Sequence, residues 1–267
     1  MKTLPDFPGL AGLVRERRPL VHHITNDVVN NLTANITLAL GASPVMAPCI
    51  LESPEMVAHA GALILNIGTL NPELVRSMKA AGAEAERLGI PIVFDPVGVG
   101  ATTFRTRVGL ELTRELKITV IRGNAGEVLG LAGAQGAVRG VDSLDSSAGR
   151  ESFLQEYARK TGSVIAVTGT EDFITDGIRW ARCSNGHRIM GRVTGTGCGA
   201  TTAVACFAAA GIPPFEATLA GLVLYALAGE AAGGRASGPG SFVPLFIDAL
   251  ADPDSLPWNS VRLETGP

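Results

Sequence analysis

Short, nearly continuous apolar runs alternate along this chain with longer segments whose apolar residues recur every three or four positions. Four runs stand out: Ala62-Leu63-Ile64-Leu65-Asn66-Ile67, Pro91-Ile92-Val93-Phe94-Asp95-Pro96-Val97, Ile118-Thr119-Val120-Ile121-Arg122 and Ser163-Val164-Ile165-Ala166-Val167. They are too short for buried helices and apolar on both faces, which predicts strands covered on both sides in a parallel sheet. Helical periodicity predicts helices over 28–40, 54–60, 72–88, 103–116, from about 124, and over 147–161, after a short helix and lead-in within 1–20. Thr25, Asn26 and Asp27 are candidate caps for the 28–40 helix. Residues 42–48 read as extended, and 133–145 as a Gly-rich, mobile connection. Residues 172–189 differ, because Asp176-Gly177 between apolar residues predicts a hairpin and hence an antiparallel portion. Two very apolar helices follow, over 200–210 and 217–232, and the tail after Asp252 reads as a surface strap. The alternation predicts a three-layer α/β fold, a mostly parallel central sheet with helices on both faces.

Composition narrows this picture. At 267 residues and 46% hydrophobic, the chain can bury a full core, and its length suits one domain over 1–267. Net charge is −3 with no basic block, so neither nucleic acid nor a membrane is an expected partner. The 217–232 segment carries Glu230 and is shorter than a membrane span, so an interior helix is expected. The N-terminal residues lack the apolar stretch of a signal peptide. Cys49, Cys183, Cys198 and Cys206 have no zinc or CxxC spacing, and are expected to be reduced thiols in a cytoplasmic protein.

The chemistry gathers where predicted strands end. Val193-Thr194-Gly195-Thr196-Gly197-Cys198-Gly199-Ala200 is a Gly-rich loop opening onto a helix. The first N–H groups of a helix have no internal acceptor, so such a loop either seats an anion or is only a turn. Cys198, in or near the first turn, would there be favoured as a thiolate, or would be a small core residue. Asn66, Asp95, Arg122, Asn124, Glu127 and Thr168 all fall at carboxyl ends of predicted strands, where open α/β sheets bind ligands. Asp95 and Glu127 could share a hydrated Mg²⁺, and Arg122 could clamp phosphate oxygens; helix caps and salt bridges are the alternative for these residues. His22 and His23 are adjacent and point to opposite faces of a strand, so structural roles are expected. Met46 suits an apolar ring or a core gap. No P-loop, dinucleotide-binding fingerprint or G-x-S-x-G elbow occurs.

The central Gly loop, with Asp95-Pro96-Val97-Gly98-Val99-Gly100-Ala101, Arg122-Gly123-Asn124-Ala125-Gly126-Glu127, Val21-His22-His23-Ile24-Thr25-Asn26 and Ser43-Pro44-Val45-Met46, closely resembles the hydroxyethylthiazole kinase family of the ribokinase-like superfamily, over residues 20–250. The resemblance implies ATP- and Mg²⁺-dependent phosphorylation of the hydroxyl of 4-methyl-5-(2-hydroxyethyl)thiazole in thiamine salvage. It implies a homotrimer with sites between subunits. It also implies that Met46 and Gly195 contact the thiazole with Asn26 nearby, that Arg122 and Thr168 hold ATP, and that Asp95 and Glu127 act around metal and phosphates. Gly195, Thr196 and Gly197 would form an anion hole. Cys198 would be the base, at the position where the wider superfamily has aspartate. Rival readings are a dehydratase of hydrated NAD(P)H, a hydroxymethylpyrimidine kinase, or a non-catalytic nucleotide-binding protein on the same fold.

Overall fold

The computed structural model describes residues 5–133 and 147–267. The reading of 133–145 as a mobile connection lies, from residue 134 on, outside the described residues. The nine strands among the described residues form one sheet in the order β2-β1-β3-β4-β5-β6-β7-β8-β9. They are β1 (Leu20–Ile24), β2 (Ser43–Val45), β3 (Ala62–Asn66), β4 (Ile92–Asp95), β5 (Val120–Gly123), β6 (Val164–Val167), β7 (Asp172–Thr175), β8 (Trp180–Cys183) and β9 (Leu263–Gly266). Pairing is parallel from β2 through β6 and antiparallel from β6 to β9.

Side-chain alternation sorts each strand between two cores. Leu63, Leu65, Ile92, Phe94 and Ile121 pack with α4 (Pro72–Leu88), α5 (Thr103–Glu115), α6 (Ala125–Leu131) and α7 (Ser147–Thr161). Ala62, Ile64, Val93, Val120 and Ala166 face the other way, onto α1 (Phe7–Arg17), α2 (Asn30–Ala39), α8 (Thr196–Ala209), α9 (Pro214–Gly233) and α10 (Pro239–Ala251). The same alternation turns Asn66, Asp95 and Arg122 toward α8. Asn66 and Asp95 are direct register partners on neighbouring strands. Small residues on this face let the alanine-rich α8 approach closely, and it is buried from Gly199 to Ala208.

Four expectations change. The α2 helix starts at Asn30 behind Val29, with no side-chain cap, so none of Thr25, Asn26 and Asp27 caps it. The short α3 helix spans Ser53–Val57 rather than 54–60. The C-terminal tail is more than a strap: after two 3₁₀ turns it forms β9 against β8. At 20 residues, α9 is long and apolar enough to cross a membrane, so the length argument fails; its composition is instead accounted for by burial, 83% over its most apolar window. The Asp-Gly hairpin forms as expected, with Gly177 at φ +89°.

The paired histidines point to opposite faces and each bonds a neighbouring segment. His22 Nε2 lies 2.9 Å from the Ala47 carbonyl and His23 Nε2 lies 3.1 Å from Thr37 Oγ1, and both rings are buried. Burial, and then the charge of His22, push His23 down from 6.5 to about 3. Between these values the unfolded chain takes up a proton that the folded chain excludes, so stability is intact above pH 6.5 and falls as pH drops through this window. Chemical denaturation from pH 7.5 to 4 should show this acid loss, and His23→Gln should flatten the slope of unfolding free energy against pH. An equally steep slope in the variant would contradict the assignment.

Candidate active site

The carboxyl ends of β3 to β6 and the head of α8 enclose a cleft of about 950 Å³, lined by Asn26, Asp95, Arg122, Glu127, Thr168 and the loop from Thr194 to Cys198. Three glycines shape the N-cap and first turn of α8 for different reasons. Gly195 adopts φ +85°, and a Cβ there would lie 2.8 Å from Val29 and 2.9 Å from Leu32. A Cβ on Gly197 would stand 3.1 Å from Arg122 Nη1, and one on Gly199 only 2.2 Å from Tyr225 Oη. Gly195 is also the N-cap of α8 and supplies no side chain as acceptor. The first N–H groups of α8 therefore open onto the cleft beside the Arg122 guanidinium.

Arg122 is buried, donates through Nη2 to Thr168 Oγ1, and has Nη1 3.9 Å from Asp95 Oδ1. Its Nε has no acceptor among the described residues. A buried guanidinium beside an uncapped helix terminus is a strongly electropositive arrangement with donor capacity in hand.

A polar network fixes the opposite side. Asn26 Nδ2 donates to Asn66 Oδ1 at 2.7 Å. Asn66 Nδ2 donates to Asp95 Oδ2 at 2.8 Å and to Cys198 Sγ at 3.2 Å. Thr201 Oγ1, one turn along α8, donates to Asp95 Oδ2 at 2.9 Å. Burial pushes the Asp95 carboxyl up to about 6, with Arg122 pulling it down and Glu127 raising it. The expectation that the helix terminus favours a Cys198 thiolate is overturned. Burial first, then the charge of Asp95, push this thiol up to about 11, and the donors Asn66 and Asn26 offset only part of that. At neutral pH Cys198 is a thiol.

Glu127 closes the capping box of α6: its Oε2 accepts from Asn124 N at 2.9 Å, and its Oε1 accepts from Gly98 N at 2.9 Å. It thereby ties the loop after β4 to the loop after β5, so the cap and the cleft carboxylate are one residue. Among the described residues no three acidic, His or Cys side chains gather as a metal cluster. Two carboxylates in one cleft do fit Mg²⁺ carried in on phosphates, because that ion keeps most of its waters and takes one or two protein carboxylates.

The structure brings together Asn26, Asp95, Arg122, Glu127, Thr168, Gly195, Thr196, Gly197 and Cys198. Met46 stands apart. It lines a second cleft of about 360 Å³ with His23, Asp27, Thr69, Asn71 and Glu73. The wall between the clefts is thin, since Asn26 and Gly68 line the first while their neighbours Asp27 and Thr69 line the second. Sequence reasoning missed Thr201, Tyr225 and Asp172. Tyr225 is an isolated polar position within an apolar helix, and Thr201 is one of the Thr201-Thr202 pair in an otherwise apolar run, the signals that could have found them. Asp172 lines the main cleft at the start of β7, and burial pushes it up to about 6.

Comparison with known proteins agrees with this geometry. Residues 12–254 match the model of the hydroxyethylthiazole kinase family. The hydroxyethylthiazole kinase of Methanocella arvoryzae is 50% identical over 248 residues, covering 92% of this chain and 93% of that protein. The solved hydroxyethylthiazole kinase of Pyrococcus horikoshii superposes with a TM-score of 0.87 at 41% identity, covering 98% of this chain and 99% of that one. A ribokinase-like superfamily protein of Enterococcus faecalis shares the fold, with a TM-score of 0.65 at 15% identity, over 91% of this chain and 94% of the other. With the Gly-rich loop, the buried arginine and the two carboxylates in one cleft, and a match of this extent in sequence and fold, the chain belongs to the hydroxyethylthiazole kinase family.

Proposed function

We propose that this protein, as one kinase domain over residues 1–267, transfers the γ-phosphoryl group of ATP to the hydroxyl of 4-methyl-5-(2-hydroxyethyl)thiazole in thiamine salvage. The observation that carries this reading is the uncapped head of α8 facing the buried Arg122, whose Nε lacks an acceptor among the described residues, across from Asp95. Phosphoryl transfer needs little covalent help and is accelerated by positioning and charge neutralisation. Gly195, Thr196 and Gly197 form the anion hole, and Arg122 and Thr168 hold the nucleotide phosphates. Asp95 and Glu127 would hold Mg²⁺ by way of the ion's own waters, which would leave the Asp95 carboxylate able to take a proton; the ion supplies charge neutralisation at the phosphates when bound.

Cys198 orients the acceptor hydroxyl. Its sulfur accepts from Asn66 at 3.2 Å and lies beside the Asp95 carboxyl. As the alcohol oxygen bonds to phosphorus and the bond to ADP breaks, the hydroxyl proton passes to Cys198 Sγ while the thiol proton passes to Asp95. This transfer is late, since a loose transition state leaves little early need for a base. A serine can donate and accept in the same way.

The separation of Met46 from Gly195 supports a thiazole site completed between copies of the chain in a homotrimer. Val28, which lines the main cleft, and Leu51, two residues beyond Cys49 of the second cleft, are 63% and 89% exposed, apolar surface suited to burial against a neighbour. The four cysteines are free thiols, which suits the cytoplasm.

A coupled assay of ADP release with the thiazole alcohol, a hydroxymethylpyrimidine and no acceptor tests the reaction; turnover should require the thiazole alcohol. Cys198→Ser should keep activity within about 10²-fold of the parent, and a loss beyond about 10⁴-fold would contradict a late, modest role for the thiol. Met46→Ala should raise the thiazole KM about 10-fold, roughly the loss of one to two methylenes of apolar contact, with folding intact. Met78→Ala, in the core of α4, should instead cost about 2–5 kcal/mol of stability and leave that KM unchanged. Equal KM values for the two variants would remove Met46 from the thiazole site.

A further inference from the structure

Tyr225 stands in the middle of α9, is 3% exposed, and takes no part in the roles assigned so far. Its ring packs edge-on against Phe246, with centroids 4.8 Å apart at 82°. The phenol points away from that apolar contact, toward the head of α8, and the residue lines the main cleft. Its hydroxyl donates to the Thr196 carbonyl at 2.8 Å. Burial moves the phenol well above its usual range, so it keeps its proton and donates throughout the working pH range.

The acceptor it chooses is informative. Thr196 is the first residue of α8, and its carbonyl belongs to the same peptide plane as the Gly197 N–H. In a planar trans peptide the C=O and N–H point in opposite directions. A donor that holds the Thr196 oxygen therefore fixes the direction of the Gly197 N–H. That amide lies in the first turn, where no acceptor within the helix exists. Side chains hold the rest of the segment as well, since Thr196 Oγ1 donates to the carbonyls of Met190 at 2.9 Å and Val193 at 3.2 Å. The sequence also makes room for the phenol: a Cβ on residue 199 would lie 2.2 Å from Tyr225 Oη, so glycine at 199 is what admits the hydroxyl.

We infer that Tyr225 is a positioning residue for phosphoryl transfer, its hydroxyl locking the Thr196–Gly197 peptide so that the Gly197 amide is aimed at the transferring phosphoryl group. This rests on the kinase reading and adds to it the element that holds the anion hole rigid. Preorganised amides lower a barrier because they need no reorientation as charge develops, and losing one such donor costs about 10²–10³-fold in rate. Loosening a donor without removing it should cost less.

The test is Tyr225→Phe, which keeps the ring and its contact with Phe246 and deletes the donor. Thermal unfolding of the variant should track the parent within a few degrees. With the thiazole alcohol and MgATP, kcat should fall about 10–100-fold while both KM values change less than about 3-fold. Affinity for MgADP alone should stay within about 3-fold, whereas affinity for MgADP with aluminium fluoride, which mimics the transferring group, should fall by about the same factor as kcat. A variant with parental kcat and parental aluminium fluoride affinity would overturn the inference. So would a variant whose only loss is in unfolding temperature, since that assigns the hydroxyl to packing. Failure of the underlying reading looks different: the parent protein itself would then release no ADP in response to the thiazole alcohol.

Discussion

The site depends on an electrostatic imbalance within the protein interior. The first turn of α8 presents N–H groups with no internal acceptor, and the guanidinium of Arg122 lies against the same turn, with Gly197 leaving space for it. Two positive ends so close repel one another, and burial removes the water that would screen them. Asp95 compensates in part, at 3.9 Å from Arg122 and held by Asn66 and Thr201. In the proposed reaction an incoming polyanion would complete the compensation, and the fold would hold ready a charge pattern that substrate binding satisfies, which is the physical content of preorganisation.

The sheet makes this arrangement possible. Parallel strands end along one rim, so residues distant in sequence, at 66, 95, 122 and 168, meet there. Alternation along each strand then selects which of them face α8. Phe94 and Ile121 turn into one core, while Asp95 and Arg122 turn toward the helix terminus. Cys198 belongs to this network as a protonated partner. Burial and a neighbouring carboxylate push this thiol up to about 11, so in the proposed reaction it would orient the acceptor hydroxyl and relay its proton late, and would not act as a ready thiolate base.

Much of this was legible in the sequence where local rules coincide with tertiary need. The α4 helix runs over the expected 72–88 because Asn71 caps it, Pro72 starts it and Gly89 ends it in the left-handed region. The strand cores at 62–66 and 92–95 were visible as continuous apolar runs because both faces are covered. Local rules failed where long-range contacts decide. Asn26 looks like a helix cap, yet its amide is committed to Asn66, forty residues away. β9 is short and carries Glu264, so only its pairing with β8 identifies it as a strand. Thr201 and Tyr225 are hidden within alanine-rich segments whose periodicity reports burial alone. The neighbourhood of Met46 was likewise beyond reach, because which cleft a short edge segment lines depends on packing that periodicity does not encode.

The most direct measurement is a crystal structure of the protein with a non-hydrolysable ATP analogue and Mg²⁺. The account predicts the terminal phosphate within hydrogen-bond distance of the Gly197 and Cys198 amides, the Arg122 guanidinium on its flank, and Asp95 and Glu127 on the metal side. A triphosphate bound elsewhere in the cleft, with the first-turn amides of α8 turned to a protein or solvent acceptor, would contradict it.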